Sequence, residues 1–302
     1  DRILQSEAGI GLDMDALHQQ GKNANYISTF LFGSITKEAI GQQKWYYHTN
    51  IQCYFSGYNI GNLHLQALAR RSFDSATNHI ELGFEQTINN VSFLQNHFAS
   101  NVYTWQLDAK KQITSKLFAT YTNKKIGLVS CLRYYQLLGF AYRDTSLFNQ
   151  QYNALLPLVQ ASMHKIFSYR KFKLENEILL QFVSEKSPIH LPMFAYVGKC
   201  YFADKLFIKK LQVATGIDIR YFSPFLVDAY SPIVYDFVTQ YHRRVSNVPR
   251  TSYFFNFKVK TYRASLSFDE LQQLFTRNNI NYPGYAAQNF MVRFGFHWMM
   301  VN

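Results

Sequence analysis

The sequence predicts an all-β protein, a transmembrane antiparallel up-and-down β-barrel of fourteen strands, and three observations predict it. Polar and apolar residues alternate with period two in segment after segment, most of them longer than the roughly five or six residues usual for soluble strands. Aromatic residues reach 17% (27 Phe, 22 Tyr, 3 Trp) while mean hydropathy stays at −0.19. Barrels show this combination, because lipid-facing residues alternate with polar interior ones and aromatic girdles mark both interfaces. The last thirteen residues, 290–302, also alternate. Phe290, Val292, Phe294, Phe296, Trp298 and Met300 form one face; Met291, Arg293, Gly295, His297 and Met299 form the other. Four aromatics on one face of a closing strand suit a lipid-facing stripe about ten residues long.

The segments follow in order. Ala8, Ile10, Leu12, Met14 and Ala16 oppose Glu7, Gly9, Gly11, Asp13 and Asp15. Residues 25–38 carry Tyr26, Phe30 and Phe32. In 45–58, Trp45, Tyr47, Ile51 and Phe55 oppose His48, Asn50 and Gln52, and a Gly-Tyr-Asn-Ile-Gly-Asn turn closes the segment. Leu63, Leu65, Ala67 and Ala69 then alternate with His64, Gln66 and Arg70, and Ile80, Leu82 and Phe84 with Glu81, Gly83 and Glu85. Residues 89–109 break the pattern and read as a long loop. Strands resume at 110–122 and 126–138; 139–154 is a second long polar stretch before 155–169. Arg170-Lys171 turns tightly into 172–184, followed by 193–204 and 209–222. Residues 224–250 hold three prolines and read as one long loop with local structure. Segments 253–260 and 262–271 form a tight hairpin, and 272–288 is the last loop. These fourteen strands and their loops use all 302 residues, so a single domain is expected. Alternately short and long connections imply one rim of periplasmic turns and one of extracellular loops, with both termini periplasmic.

Composition narrows the function. No apolar run reaches the about 18 residues of a membrane helix. Net charge is +12, but the basic residues are dispersed, which argues against nucleic acid. Cys53, Cys131 and Cys200 lack metal or disulfide spacing, so no metal site is expected, and no cofactor motif is present. No signal peptide is visible, and Asp1 is expected to begin a mature or trimmed chain. His164, His242 and His297 have no serine or acidic partner in a hydrolase pattern, and no enzyme is expected. Met299 and Met300 beside Trp298 read as lipid or interface contacts rather than ligands.

Leu191-Pro-Met-Phe-Ala195, Thr215-Gly-Ile-Asp-Ile-Arg-Tyr221, Asp228-Ala-Tyr-Ser-Pro232, Phe255-Asn-Phe-Lys-Val-Lys260 and Asn281-Tyr-Pro-Gly284, with Asn96-His-Phe-Ala-Ser-Asn-Val-Tyr-Thr-Trp105 upstream, form an ordered series. From about residue 90 onward this series resembles the putative porin family of Bacteroidota outer-membrane barrels. The resemblance implies an outer-membrane location and a pore, and it casts the final strand as the signal for membrane insertion. Family members are usually longer at the N-terminus, so a preceding region outside this chain is expected. Tyr-Pro-Gly before the last strand also occurs in TonB-dependent receptors, which are larger and carry a plug domain that this length leaves no room for. Barrels commonly end on an aromatic, whereas Val301-Asn302 follows Met300 here. Either those residues overhang the strand, or Trp298 serves as the last aromatic.

The expected lumen lining is Glu7, Asp13, Asp15, Arg70, Arg133, Asp218, Arg220, Lys258, Lys260, Arg293 and His297, with Glu81, Glu85, Lys116, Lys173, Glu175 and Glu177. Closure should pair the last strand with the first and bring Arg293 and His297 to its acidic face. Phe30, Phe32, Tyr253 and Phe255 are expected to meet lipid or a partner barrel. Two functions stay open. One is a porin passing small solutes, anions favoured by the basic excess. The other is a non-conducting subunit of a larger outer-membrane assembly, its lumen filled by side chains and the 224–250 loop. Outer-membrane lipid, and other outer-membrane proteins in a complex, are the expected partners.

Overall fold

A computed structural model describes residues 4–19, 22–38, 44–74, 77–99, 104–206, 210–245, 248–276, 280–286 and 288–299. Its frame is one antiparallel sheet of 14 strands, each bonded to its neighbours in sequence. The strands are β1 (Leu4–Gln19), β2 (Lys22–Lys37), β3 (Trp45–Tyr54), β4 (Leu63–Asp74) and β5 (Asn78–Asn89). Then come β6 (Gln112–Asn123), β7 (Leu128–Leu138), β8 (Leu156–Tyr169), β9 (Phe172–Val183) and β10 (Phe194–Leu206). The last four are β11 (Leu211–Phe222), β12 (Arg250–Val259), β13 (Tyr262–Asp269) and β14 (Met291–Trp298). Every segment read as a strand in the sequence is one.

Connections sort by rim. Those after even-numbered strands are short, down to the two-residue links 170–171 and 260–261. Those after odd-numbered strands include 90–111, 139–155, 223–249 and 270–290. The start of β1 and the end of β14 therefore share the short-turn rim. The long stretches read as loops are not featureless. They contain two-stranded ribbons: His97–Ala99 with Thr104–Gln106, Phe140–Arg143 with Asn149–Tyr152, Ala229–Ser231 with Asp236–Val238, and Ile280–Tyr282 with Tyr285–Ala286. Trp105, Val234 and Val238 bury together, with Leu147 and Ala229 against them. Three connections distant in sequence thus share a small apolar core above the sheet.

Two expectations are corrected. Among the described residues the sheet is open: β1 is bonded only to β2, and β14 only to β13. The seam that was to bring Arg293 and His297 to the acids of β1 is not formed. Arg293 instead holds Asp269 of the adjacent strand at 2.6 Å. Alternation names a strand's face and up-and-down order its neighbours, but closure also needs matched tilt and shear, which neither encodes. Lys260 is the second correction. It sits in the two-residue turn at φ +52° rather than in the wall, because a connection this short must draw its residues from the strand end.

Candidate functional site: the polar face of the sheet

Residues directly opposite in an antiparallel ladder share a face, so the register carries face identity from strand to strand. Arg293 lies opposite Ser267, Ser267 opposite Phe254, and Phe254 opposite Gly216. Followed across the sheet, one face carries Glu7, Asp13, Arg70, Arg133, Asp218, Arg220, Lys258, Arg293 and His297. Asp15 holds the same parity, opposite Tyr26, and its side chain is outside the described residues. The other face is apolar. Val292, Phe294, Phe296 and Trp298 continue into Phe268, Leu266, Ala264 and Tyr262, and Phe290 stacks on Phe268 at 6.5 Å. Met300 lies outside the described residues. Exposure on this face is high: Met14 74%, Phe296 70%, Ile10 70% and Trp298 60%. Tyr253 and Phe255 belong to it, opposite Phe268 and Leu266.

Phe30 and Phe32 do not, and this is a third correction. They lie opposite Gly11 and Gly9, on the polar face. Each glycine gives its ring a seat: a Cβ at Gly11 would come within 2.1 Å of the Phe30 ring, and one at Gly9 within 2.6 Å of Phe32. Phe118 covers Gly83 in the same way (2.1 Å), and Tyr201 lies against Gly216 (2.5 Å to its Cβ). The sequence signal is a glycine on a charged face opposite an aromatic, and only the register reveals it.

Most acids on this face are matched. Arg70 holds Glu81 at 2.7 Å and Lys116 holds Glu85 at 3.0 Å. Lys116 also stands 4.8 Å from the Phe118 ring centre. Lys199 reaches Asp218 at 3.8 Å and Phe254 at 4.5 Å. Tyr201 donates to Glu175 at 2.7 Å, Tyr54 donates to Asp13, and Arg133 donates to Ser162 at 3.2 Å. Arg220 lies directly opposite Arg250. Lys258 lies opposite Arg263, a base the sequence reading missed because its place was fixed only by the turn between them.

At the long-loop rim, polar contacts tie the connections together. Arg143, its side chain only 6% exposed, sits 3.5 Å from Asp236 and 4.5 Å from the Trp105 ring centre. Burial holds its guanidinium below the usual value, opposed by Asp236. Thr239 donates to the Arg143 carbonyl from both N (2.9 Å) and Oγ1 (3.0 Å). His190 Nδ1 meets Asp228 at 2.7 Å under the edge-on ring of Tyr241. Partial burial, then Asp228, pushes the Tyr241 hydroxyl above its ordinary value. Lys111 donates to Ile60 O (2.8 Å), Asn62 Oδ1 (2.7 Å) and Asn90 Oδ1 (2.9 Å), joining 55–62 to 90–111.

Comparison with known proteins places this architecture. A family model described as "Putative porin" matches residues 7–302. No curated protein matches the chain. Among solved structures, a mutant ferric enterobactin receptor from Pseudomonas aeruginosa is similar at TM-score 0.58 and 11% identity, over 82% of this chain and 40% of that one. Another mutant of that receptor, in complex with enterobactin, is similar at TM-score 0.58 and 10% identity, over 89% of this chain and 49% of that one. The chain spans less than half the length of these receptors, and at such identity the likeness is one of fold.

Proposed function

The chain belongs to the family described as "Putative porin", and from that premise we propose that this outer-membrane β-barrel is a diffusion pore whose lumen is lined by the polar face and favours anions. The observation that carries this is the division of one 14-stranded sheet into a charged face and a continuous, exposed apolar one. So large an apolar surface is not tolerated in water and suits lipid. The charges opposite it then line the interior, and Glu7, Asp13, Asp15, Arg70, Arg133, Asp218, Arg220, Lys258, Arg293 and His297 are the lining residues. A pore built from this open sheet requires its two edge strands to be covered in the membrane, since bare strand edges are not stable in hydrocarbon. The short-turn rim, with both termini, faces the periplasm. The family and the fold are those of barrel and transport proteins, which supports a role other than an enzyme's.

Anion preference follows from the net charge of +12 and from opposed bases such as Arg220 with Arg250. Planar-bilayer recordings across a potassium chloride gradient should show channels whose reversal potential lies toward chloride. Purified, folded protein that gives no conductance removes the pore reading.

The loop core favours a second reading. Trp105, Val234 and Val238, with Leu147 against them, join three long connections at one rim, and eight-stranded barrels are filled while sixteen to eighteen strands leave a channel. A barrel capped in this way serves as a non-conducting subunit of a larger outer-membrane assembly. A defined partner retained through mild-detergent purification, together with silent bilayers, supports that role.

A further inference from the structure

At the short-turn end of β10 to β14 the polar face carries a straight row of bases. Lys205 lies opposite Gln212, Gln212 opposite Lys258, Lys258 opposite Arg263, and Arg263 opposite His297. The row crosses five strands, about 19 Å at the usual strand spacing. Lys258 beside Arg263 is a directly opposed like-charge pair, an arrangement that destabilises a ladder. On the same face Arg70 sits against Glu81 and Lys116 against Glu85, while Arg220 opposes Arg250 at the other rim. Among the described residues no acid pairs with a base of this row. Asp204, which also borders the hollow described below, has the opposite parity and is bound to Lys171.

The next row has a different character. Ala203, Ala214, Asn256, Ser265 and Gly295 lie opposite one another in turn on the same five strands and the same face. These side chains are short, so the wall recedes directly above the bases. Both rows line a hollow of about 820 Å³, within the range of small-molecule sites. A recess floored by small residues and edged by unneutralised cations suits an anion that spans several strands.

We propose that this hollow is a binding site for a small, extended polyanion carrying two or more phosphate or carboxylate groups. Arg263 offers a fork that fits one oxyanion bidentately, while Lys205 and Lys258 supply point charges one to three strands away. A chloride ion cannot bridge that spacing. The site deepens the pore reading, since it assumes that the polar face is the lumen. Binding nevertheless requires no conduction, so a silent barrel that binds the polyanion would refute the pore and leave the site intact.

The test is calorimetric titration of the purified, folded chain with sodium tripolyphosphate, citrate and chloride at fixed ionic strength. Saturable binding of tripolyphosphate or citrate is expected, with none for chloride; which of the two binds more tightly assigns the oxyanion. Lys258→Gln with Arg263→Gln should weaken binding at least ten-fold. Lys110→Gln with Lys186→Gln removes the same charge at the opposite rim and should leave it unchanged. Lys258→Arg with Arg263→Lys preserves the charges and should retain binding within a few-fold, separating recognition from misfolding. The neutralised variant should also unfold no earlier than the parent, because a repulsive pair has gone. Absence of saturable polyanion binding to the parent, unchanged binding in Lys258→Gln/Arg263→Gln, or equal weakening by the two double neutralisations would each overturn the site.

Discussion

Gly83 shows what a single position does here. It stands on the charged face opposite Phe118, whose ring occupies the space a Cβ would fill, at 2.1 Å. The ring in turn carries the Lys116 ammonium at 4.8 Å, and Lys116 holds Glu85 at 3.0 Å. The glycine therefore fixes an aromatic plate that fixes an ion pair. Gly83→Val should dislodge Phe118 and lower unfolding stability by about 1–3 kcal/mol, the usual range for overpacking. Denaturant titration of the folded barrel measures this, and an unchanged midpoint would mean the ring is not seated on the glycine. Legibility in the sequence fails at this scale for the same reason. Phe30 and Phe32 look like lipid anchors by composition, yet Gly11 and Gly9 opposite them draw the rings to the charged side.

Among the elements, the tight turns show how strand ends were read and misread. Arg170 (φ +56°) and Lys260 (φ +52°) open two-residue turns in the left-handed region, which favours glycine. Left-handed backbone costs a non-glycine residue about 1–2 kcal/mol, and glycine's greater freedom in the unfolded chain takes back part of any gain. Lys260→Gly should therefore stabilise by roughly 0.5–1 kcal/mol. Arg170→Gly should gain less, because Arg170 also lies 5.5 Å from the Tyr169 ring centre. Comparing the two midpoints tests the account, and a larger gain at Arg170 would contradict it. The hairpin's existence was visible in the phase shift between Val259 and Tyr262. That Lys260 belongs to the turn depended on a backbone angle no alternation records.

For the whole molecule, the two rims are built differently: short links at one, an interlocked set of loops at the other. Tyr241 offers a handle on that set. Its ring lies edge-on to His190 at 5.2 Å, and its hydroxyl titrates above the ordinary value, from partial burial and then Asp228. The folded loops thus favour the neutral phenol. That contribution is complete below about pH 10, the ordinary tyrosine value, and is lost as pH rises through and beyond it. Subtilisin cleavage within residues 223–249 should be constant from about pH 7 to 9 and accelerate above about 10. In Tyr241→Phe this acceleration should be absent; persistence of the same rise would assign it elsewhere. Alternation alone determined that the chain is a β-sheet of fourteen strands with one apolar and one charged face, because period two is a local property of extended backbone. The family resemblance was legible from short motifs for a similar reason. Only the tertiary structure decided which bases stand opposite one another, which glycines seat aromatic rings, that three distant loops share a core around Trp105, and that the sheet's edges stand apart. These depend on register, curvature and contacts between residues far apart in the chain, and the residues of a single strand carry none of that information.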